Sequence, residues 1–245
     1  MIAKKYVKTF SRILNRDMEY TIFGEKGKPA VVFPTGGGRF FQFEDSGMLE
    51  ACSPYIESGS MQVFAVDGID WEHFECEGKS GEERTARYHD YLKYLTKEMV
   101  AVIASTNNYR GKYMTFGTSL GGYHAMNLLL RYPDIFDTVI AMSGIYNTAR
   151  YFHDFMNDEL YVNSPLLYLQ NAIDKDKMEA YLSSKIIASV GQGQWEDDAM
   201  ADFLTLRALF DEKKIPAFFD VWGYDVTHEF VWWRKQIAYF LTKVL

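Results

Sequence analysis

The chain has 245 residues, a length that favours a single domain with a large core. Hydrophobic residues make up 48% and charged residues 24%, a balance that excludes disorder over most of the chain. The net charge of −7 disfavours nucleic acid as a partner, because an acidic surface repels phosphate backbones.

Eight short apolar runs predict β-strands. The runs lie at residues 5–10, 18–23, 30–33, 62–66, 113–116, 138–142, 185–190 and 217–221. The first two are predicted to be edge strands of the sheet. Continuous runs such as 30–33, bounded by glycine and proline, indicate strands that are buried on both faces.

Helices are predicted between these strands, at 47–58, 82–105, 120–131, 197–212 and 230–244, some of them from apolar spacings of three and four. Strands that alternate with helices favour an α/β fold with a mostly parallel, twisted sheet and helices on both faces. Residues 143–184 interrupt the alternation and carry weak helical signals. We therefore expect one domain over residues 1–245 with a lid-like insertion at about 143–184.

The sequence from Gly117 to Gly121 contains the pattern Gly-x-Ser-x-Gly. It follows a predicted strand directly and is followed directly by a predicted helix. A serine at such a tight turn projects above the sheet at the positive end of the helix. We therefore predict that Ser119 is a nucleophile, the alternative being a turn that only needs small residues.

A serine hydroxyl needs a base to become nucleophilic at neutral pH, and histidine has a suitable pKa. His228 follows the last predicted strand, and it alone among the histidines comes late enough for the chain order serine, acid, histidine. We expect the other histidines in the core or pocket wall (His124), beside a pocket (His73), and at the surface or in the lid (His89 and His153).

The third member of a catalytic triad, an acid, is expected after the strand at 185–190. Glu196 is the first carboxylate there and is the predicted acid. Asp197 and Asp198 are alternatives, although early acids also cap helices. Asp225 is close to His228 in sequence but suits a turn equally well.

Acyl transfer also needs N–H donors for a negatively charged oxygen. The residue after the nucleophile, Leu120, is expected to supply one donor, and the glycine-rich loop at 34–38 the other. This loop lacks the glycine and lysine patterns of phosphate-binding loops. Its alternative interpretation is a flexible turn.

Three segments together resemble the α/β-hydrolase superfamily, and more narrowly the "putative esterase" family of S-formylglutathione hydrolases, feruloyl esterases and mycolyltransferases. The segments are 29–37, 116–123 and 223–228, the last followed by two tryptophans at 232 and 233. The resemblance implies an α/β-hydrolase fold, Ser119 as nucleophile, His228 as base and a carboxylate near Glu196. It also implies Gly37 as the second oxyanion donor, with Gly36 left open as the alternative.

The predicted function is that of a serine hydrolase, which cleaves carboxylic esters through an acyl-enzyme intermediate. An acyltransferase with the same triad and a non-catalytic binding protein of this fold are the alternatives. Candidate substrate-binding residues are Arg39, Phe40, Trp71 and Tyr123, and further aromatic candidates are Phe41, Phe74, Tyr146 and Tyr151. Ordinary core packing is the alternative role for these aromatic side chains.

The expected partner is a small-molecule ester, with no metal and no organic cofactor. No run reaches the ~20 apolar residues of a membrane-spanning helix, and we expect no signal peptide at the N-terminus. With only Cys52 and Cys76 in the chain, these features predict a cytoplasmic protein without membrane association. The sequence carries no signal for an oligomeric state.

Overall fold

A computed structural model describes residues 1–245, and its eight strands form one sheet. The strands are β1 (Lys4–Ser11), β2 (Arg16–Phe23), β3 (Lys28–Phe33), β4 (Met61–Val66), β5 (Tyr113–Thr118), β6 (Phe136–Met142), β7 (Lys185–Val190) and β8 (Phe218–Val221). Their order across the sheet is β1-β2-β4-β3-β5-β6-β7-β8. All pairs from β4 to β8 are parallel, whereas β1 and β2 are antiparallel to their neighbours. The prediction of a mostly parallel sheet is confirmed.

Eleven helices accompany the sheet: α1 (Gln42–Asp45), α2 (Met48–Glu57), α3 (Gly81–Lys93), α4 (Val100–Thr106), α5 (Leu120–Arg131), α6 (Ala149–Phe152), α7 (Asp158–Tyr161), α8 (Pro165–Tyr168), α9 (Lys175–Leu182), α10 (Asp197–Lys213) and α11 (Phe230–Val244). A π-helical stretch, Tyr94–Met99, joins α3 to α4, so that the long helix predicted at 82–105 is continuous but widened in its middle. A 3₁₀ turn, Asp70–Glu72, follows β4.

The core lies in two layers, one on each face of the sheet. Alternate residues of a strand point to opposite faces. In β3, Val31 and Phe33 join the cluster on the face of α5 and α10, while Ala30 and Val32 join the cluster beneath α2 and α11. Burial on both faces explains why the central strands are continuous apolar runs, with helices covering both sides as predicted.

Strand β2 is not at the edge of the sheet, in contrast to the prediction. It pairs with β1 on one side and with β4 on the other, and Tyr20 lies opposite Val66. The side chains from Tyr20 to Phe23 are buried, whereas β1 is mostly exposed. Only β1 and β8 therefore form edges, and the polar residues before β2 mark a hairpin turn rather than the border of the sheet.

Residues 143–184 contain the four short helices α6 to α9 and pack against α5. The Tyr123 hydroxyl donates a hydrogen bond to the Asn163 carbonyl over 2.7 Å, and Tyr181 donates to the carbonyl of Leu130 over 2.5 Å. Because the sheet covers one side of α5 and this segment the other, every residue from Leu120 to Leu130 is buried. The role of the segment as a lid stays a prediction.

The parallel strands all end at the same edge of the sheet, where ligands of such folds bind. The loops that follow β3, β4, β5, β6, β7 and β8 therefore lie near one another there. Every predicted catalytic residue comes from one of these loops.

Candidate active site

Ser119 occupies the one-residue turn between β5 and α5. Its backbone has φ 56° and ψ −128°, a sparsely populated conformation that costs about 1–3 kcal/mol for a residue with a side chain. The Ser119 N–H donates to the Met142 carbonyl over 2.9 Å, which holds the turn against β6. A Cβ on Gly121 would collide with the carbonyl oxygen of Pro34, so only glycine lets α5 start this close to β3. The strain lifts the serine side chain out of the sheet.

A cleft of about 510 Å³ opens above this turn, and both Ser119 and His228 line it. His228 lies in the loop between β8 and α11, and its side chain is 18% exposed. Its ring packs edge-on against Trp233, with ring centroids 4.9 Å apart. No hydrogen bond joins the Ser119 hydroxyl to the imidazole in this structure; such bonds are often long in the absence of substrate.

Glu196 is the carboxylate that lies beside His228. It is 1% exposed, and its Oε2 atom lies 3.4 Å from His228 Nδ1. The alternatives lie elsewhere: Asp197 and Asp225 are exposed, and Asp198 pairs with Arg150 over 2.7 Å. The structure thus brings together the serine, the histidine and the acid chosen from the sequence, and none of the competing carboxylates.

Ser143, which the sequence reasoning missed, connects Glu196 to the protein interior. The Ser143 hydroxyl donates to Glu196 Oε1 over 2.7 Å and accepts from the Trp233 indole N–H over 3.0 Å. Ser143 is fully buried and has φ 50°. It directly follows β6 as Ser119 follows β5, which is the only signal of this role in the sequence. These bonds fix one carboxylate oxygen and leave the other facing the histidine.

The loops that carry the acid and the histidine are bonded to each other through their backbones. Gly193 N–H donates to the Val226 carbonyl over 2.8 Å, and His228 N–H donates to the Gln194 carbonyl over 3.1 Å. A Cβ on Gly191 would collide with the Val226 carbonyl oxygen. Residues 191–196 and 222–228 therefore form one unit, and the distance between the two side chains depends on this contact.

The glycine-rich loop after β3 is held by Gln42, another residue that the sequence reasoning missed. The Gln42 side chain accepts from the Thr35 N–H and donates to the Thr35 hydroxyl, both over 2.8 Å. Gly36 lines the cleft together with Leu120, whereas Gly37 does not. Leu120 is the first residue of α5, so its N–H has no acceptor within the helix. Gly36 and Leu120 thus line the cleft together with Ser119.

Gly37 instead belongs to a buried polar cluster below the loop. Burial would raise the pKa of Asp70, but His124, His73 and the Gly37 N–H bring it below its ordinary value. His124 Nε2 lies 2.8 Å from Asp70 Oδ1, and His124 is a core residue, one of its two predicted positions. His73 was expected beside a pocket but is fully buried, and burial lowers its pKa to about 3. Among the histidines, only His228 reaches the cleft.

None of the four predicted substrate-binding residues lines the cleft. Arg39 pairs with Asp67 and Glu19, each over 2.6 Å, and with Phe40 it borders a separate cavity of about 20 Å³. Trp71 is 38% exposed at the surface, and Tyr123 is fully buried. Of the further aromatic candidates, only Tyr151 lines the cleft; Phe41 is exposed, and Phe74 and Tyr146 are buried.

The rest of the cleft is lined by residues that the sequence did not mark as substrate-binding candidates. They are Thr35, Glu75, Glu229 and Phe230, together with Trp233 beside the histidine. Glu75 follows the 3₁₀ turn after β4, and Glu229 and Phe230 stand at the start of α11. No group of three or more His, Cys, Asp or Glu side chains is arranged to hold a metal ion. No helix has the length and apolar character needed to span a bilayer.

Comparison with known structures supports the fold. The chain superimposes on a ferulic acid esterase with a TM-score of 0.77 at 17% identity, covering 100% of both chains. It superimposes on an S-formylglutathione hydrolase from Staphylococcus aureus with a TM-score of 0.75 at 15% identity, covering 99% and 96%. It superimposes on MPT51 of Mycobacterium tuberculosis with a TM-score of 0.71 at 13% identity, covering 96% of this chain and 95% of MPT51. A search of curated proteins finds no matching sequence.

The sheet order, the covering helices and these neighbours define an α/β-hydrolase fold, as the resemblance implied. A sequence profile described as "Putative esterase" matches residues 11–243, almost the whole chain. The chain belongs to this family, and the protein is a carboxylic ester hydrolase. The prediction drawn from the three sequence segments is confirmed at the level of family and enzyme class.

Proposed function

We propose that the protein hydrolyses small-molecule carboxylic esters by a serine mechanism, with Ser119, His228 and Glu196 as the catalytic triad. The observation that carries the proposal is that the buried Glu196 carboxylate lies 3.4 Å from His228, which lines the same cleft as the strained Ser119. A serine, a histidine and a carboxylate are the residue types that nucleophilic catalysis on an ester carbonyl needs.

In the first half of the reaction, Ser119 Oγ attacks the acyl carbon and its proton passes to His228 Nε2. The bond between the acyl carbon and the alcohol oxygen then breaks, and the imidazolium returns the proton to the departing alcohol. In the second half, water attacks the acyl-enzyme while His228 accepts its proton, and the imidazolium returns this proton to Ser119 Oγ as the bond between that oxygen and the acyl carbon breaks. Glu196 holds the imidazole through Nδ1 and stabilises its charged form.

The negative oxygen that forms in each half needs nearby donors. We assign this role to the backbone N–H groups of Leu120 and Gly36, in preference to Gly37. Gly36 borders the cleft, while Gly37 N–H faces the buried Asp70. Each donor of this kind is worth roughly 10²–10³ in turnover. Ser143 acts as a positioning residue, because it fixes the carboxylate that in turn orients the histidine.

The substrate is expected to be small, since the cleft measures about 510 Å³ and small-molecule sites occupy roughly 300–1,000 Å³. The cytoplasmic location remains a prediction. It rests on cysteine usage, and Cys52 and Cys76 are unpaired in the structure.

The proposal is tested by replacing the nucleophile. Ser119→Ala is expected to abolish hydrolysis of p-nitrophenyl acetate and to prevent labelling by a fluorophosphonate, with the thermal unfolding temperature retained. Ser183→Ala, at an exposed serine outside the cleft, is the control and should behave as the wild type. Unchanged turnover or labelling in Ser119→Ala would contradict the assignment.

A further inference from the structure

The cleft contains negative charge without a matching positive side chain. Glu75 and Glu229 line it, and no lysine or arginine does. Three aromatic side chains, Tyr151, Phe230 and Trp233, complete its walls. Aromatic faces and carboxylates both attract organic cations, and both are poor neighbours for an anion.

Glu75 is the carboxylate that is free to act on a substrate. Its side chain makes no hydrogen bond or salt bridge in the protein, whereas Glu229 accepts a hydrogen bond from the Thr227 hydroxyl. The backbone of Glu75 is fixed, since its N–H donates to the Asp70 carbonyl over 2.8 Å. A carboxylate on a fixed backbone and without a partner is a ready acceptor for a ligand cation.

Glu75 also lies against the loop to which we assign an oxyanion donor. A Cβ built on Gly36 would collide with Glu75 Oε1, and one built on Gly37 would lie 3.1 Å from Oε2. Partial burial raises the pKa of Glu75, and the charge of Asp70 adds to this effect. Tyr151 lines the same cleft as Glu75, and the charge of Glu75 adds to the effect of burial in raising the pKa of Tyr151.

This position has a chemical consequence. A negative charge beside the oxyanion loop opposes the charge that develops on the carbonyl oxygen of a neutral ester. A cationic group on the substrate removes this penalty, because it pairs with the carboxylate as the reaction proceeds. The negative charge of Glu75 therefore destabilises the transition state of a neutral ester more than that of a cationic ester.

We propose that Glu75 makes this esterase selective for esters whose acyl or alcohol part carries an organic ammonium group. The proposal rests on the serine mechanism given above. It assigns the cation to the space between Glu75 and the Tyr151 ring, and it makes anionic esters the poorest substrates.

The test compares isosteric substrates that differ in one charge. Acetylcholine and 3,3-dimethylbutyl acetate differ in the alcohol part, and methyl 5-aminopentanoate and methyl hexanoate differ in the acyl part. Acid release in a pH-stat gives kcat/KM for each ester. The wild type should favour the cationic member of at least one pair by about fivefold, the factor for a solvent-accessible ion pair of about 1 kcal/mol.

Glu75→Gln should remove this preference by lowering kcat/KM for the cationic ester and leaving or raising it for the neutral one. Glu77→Gln, an identical change at an exposed position outside the cleft, should keep the preference. Equal rates within both pairs, a preference for the neutral members, or an unchanged preference in Glu75→Gln would overturn the proposal. Hydrolysis of the neutral esters that persists in Ser119→Ala would instead refute the serine mechanism, and the selectivity proposal with it.

Discussion

The hydroxyl of Ser143 joins the Glu196 carboxylate to a buried indole, and its removal should affect both stability and turnover. In Ser143→Ala, the bond to Glu196 Oε1 at 2.7 Å is lost, and the Trp233 N–H loses its acceptor at 3.0 Å. A hydrogen bond to a charged group contributes about 1.5–3 kcal/mol, and a buried unpaired N–H costs about 1–3 kcal/mol. Since the two terms overlap, we expect a loss of roughly 2–4 kcal/mol in the free energy of unfolding.

The same change should slow catalysis. Without Ser143, the Glu196 carboxylate keeps only its 3.4 Å contact with His228, so it can rotate away from the orientation that serves the imidazole. A misplacement of about 1 Å in a catalytic group costs on the order of 10²-fold in rate. We expect kcat to fall by at least about tenfold. KM should change little, because Ser143 does not line the cleft.

Ser189→Ala separates positioning from stability. Ser189 lies within β7 and is also buried, and its hydroxyl donates to Gln236 Oε1 over 3.2 Å, away from the carboxylate. In Ser189→Ala, the free energy of unfolding measured with urea should fall by about 1 kcal/mol, and kcat for p-nitrophenyl acetate should be unchanged. If kcat of Ser143→Ala equals that of the wild type, or if both variants lose kcat equally, the positioning role is wrong.

Two further predictions concern buried ionisable groups. Glu196→Gln should lower kcat by roughly 10³–10⁴-fold, since an amide cannot stabilise the imidazolium, while Asp197→Asn should leave kcat unchanged; steady-state kinetics of the two variants decide between the acids. Burial holds the pKa of His73 at about 3 in the folded protein, below its ordinary 6.5. Below pH 6.5 the unfolded chain therefore binds a proton that the folded protein does not, and the free energy of unfolding falls as the pH decreases. The free energy of unfolding, measured with urea, should fall between pH 7.5 and pH 5 by about 2 kcal/mol more in the wild type than in His73→Asn. Equal decreases in the two proteins would show that this histidine does not stay neutral in the folded state.

The strands and the positions of the proposed triad residues were predictable because they depend on local patterns. The apolar runs are buried on both faces of the sheet, and Gly-x-Ser-x-Gly marks the only strand-to-helix turn of this kind. The place of Glu196 follows from the end of β7, and that of His228 from the end of β8. Both loops must reach the same edge of a parallel sheet.

The residues that line the cleft were not predictable, because their roles depend on contacts between distant parts of the chain. Tyr123 points into the core, since residues 143–184 cover the outer side of α5 and the ring has no path to the cleft. Arg39 is engaged by Asp67 and Glu19, which arrive from β4 and β2. Glu75 reaches the cleft only because the turn after β4 folds back against the glycine-rich loop.

The backbone bonds between residues 191–196 and 222–228 have a consequence for protein engineering. A designer who transplants the histidine loop into another hydrolase would leave the Gly193 and Gln194 backbone groups of this protein behind, and the imidazole would lose its register with the acid. The two segments must therefore be exchanged together, as one cassette that includes Gly191, where no larger residue fits against the Val226 carbonyl.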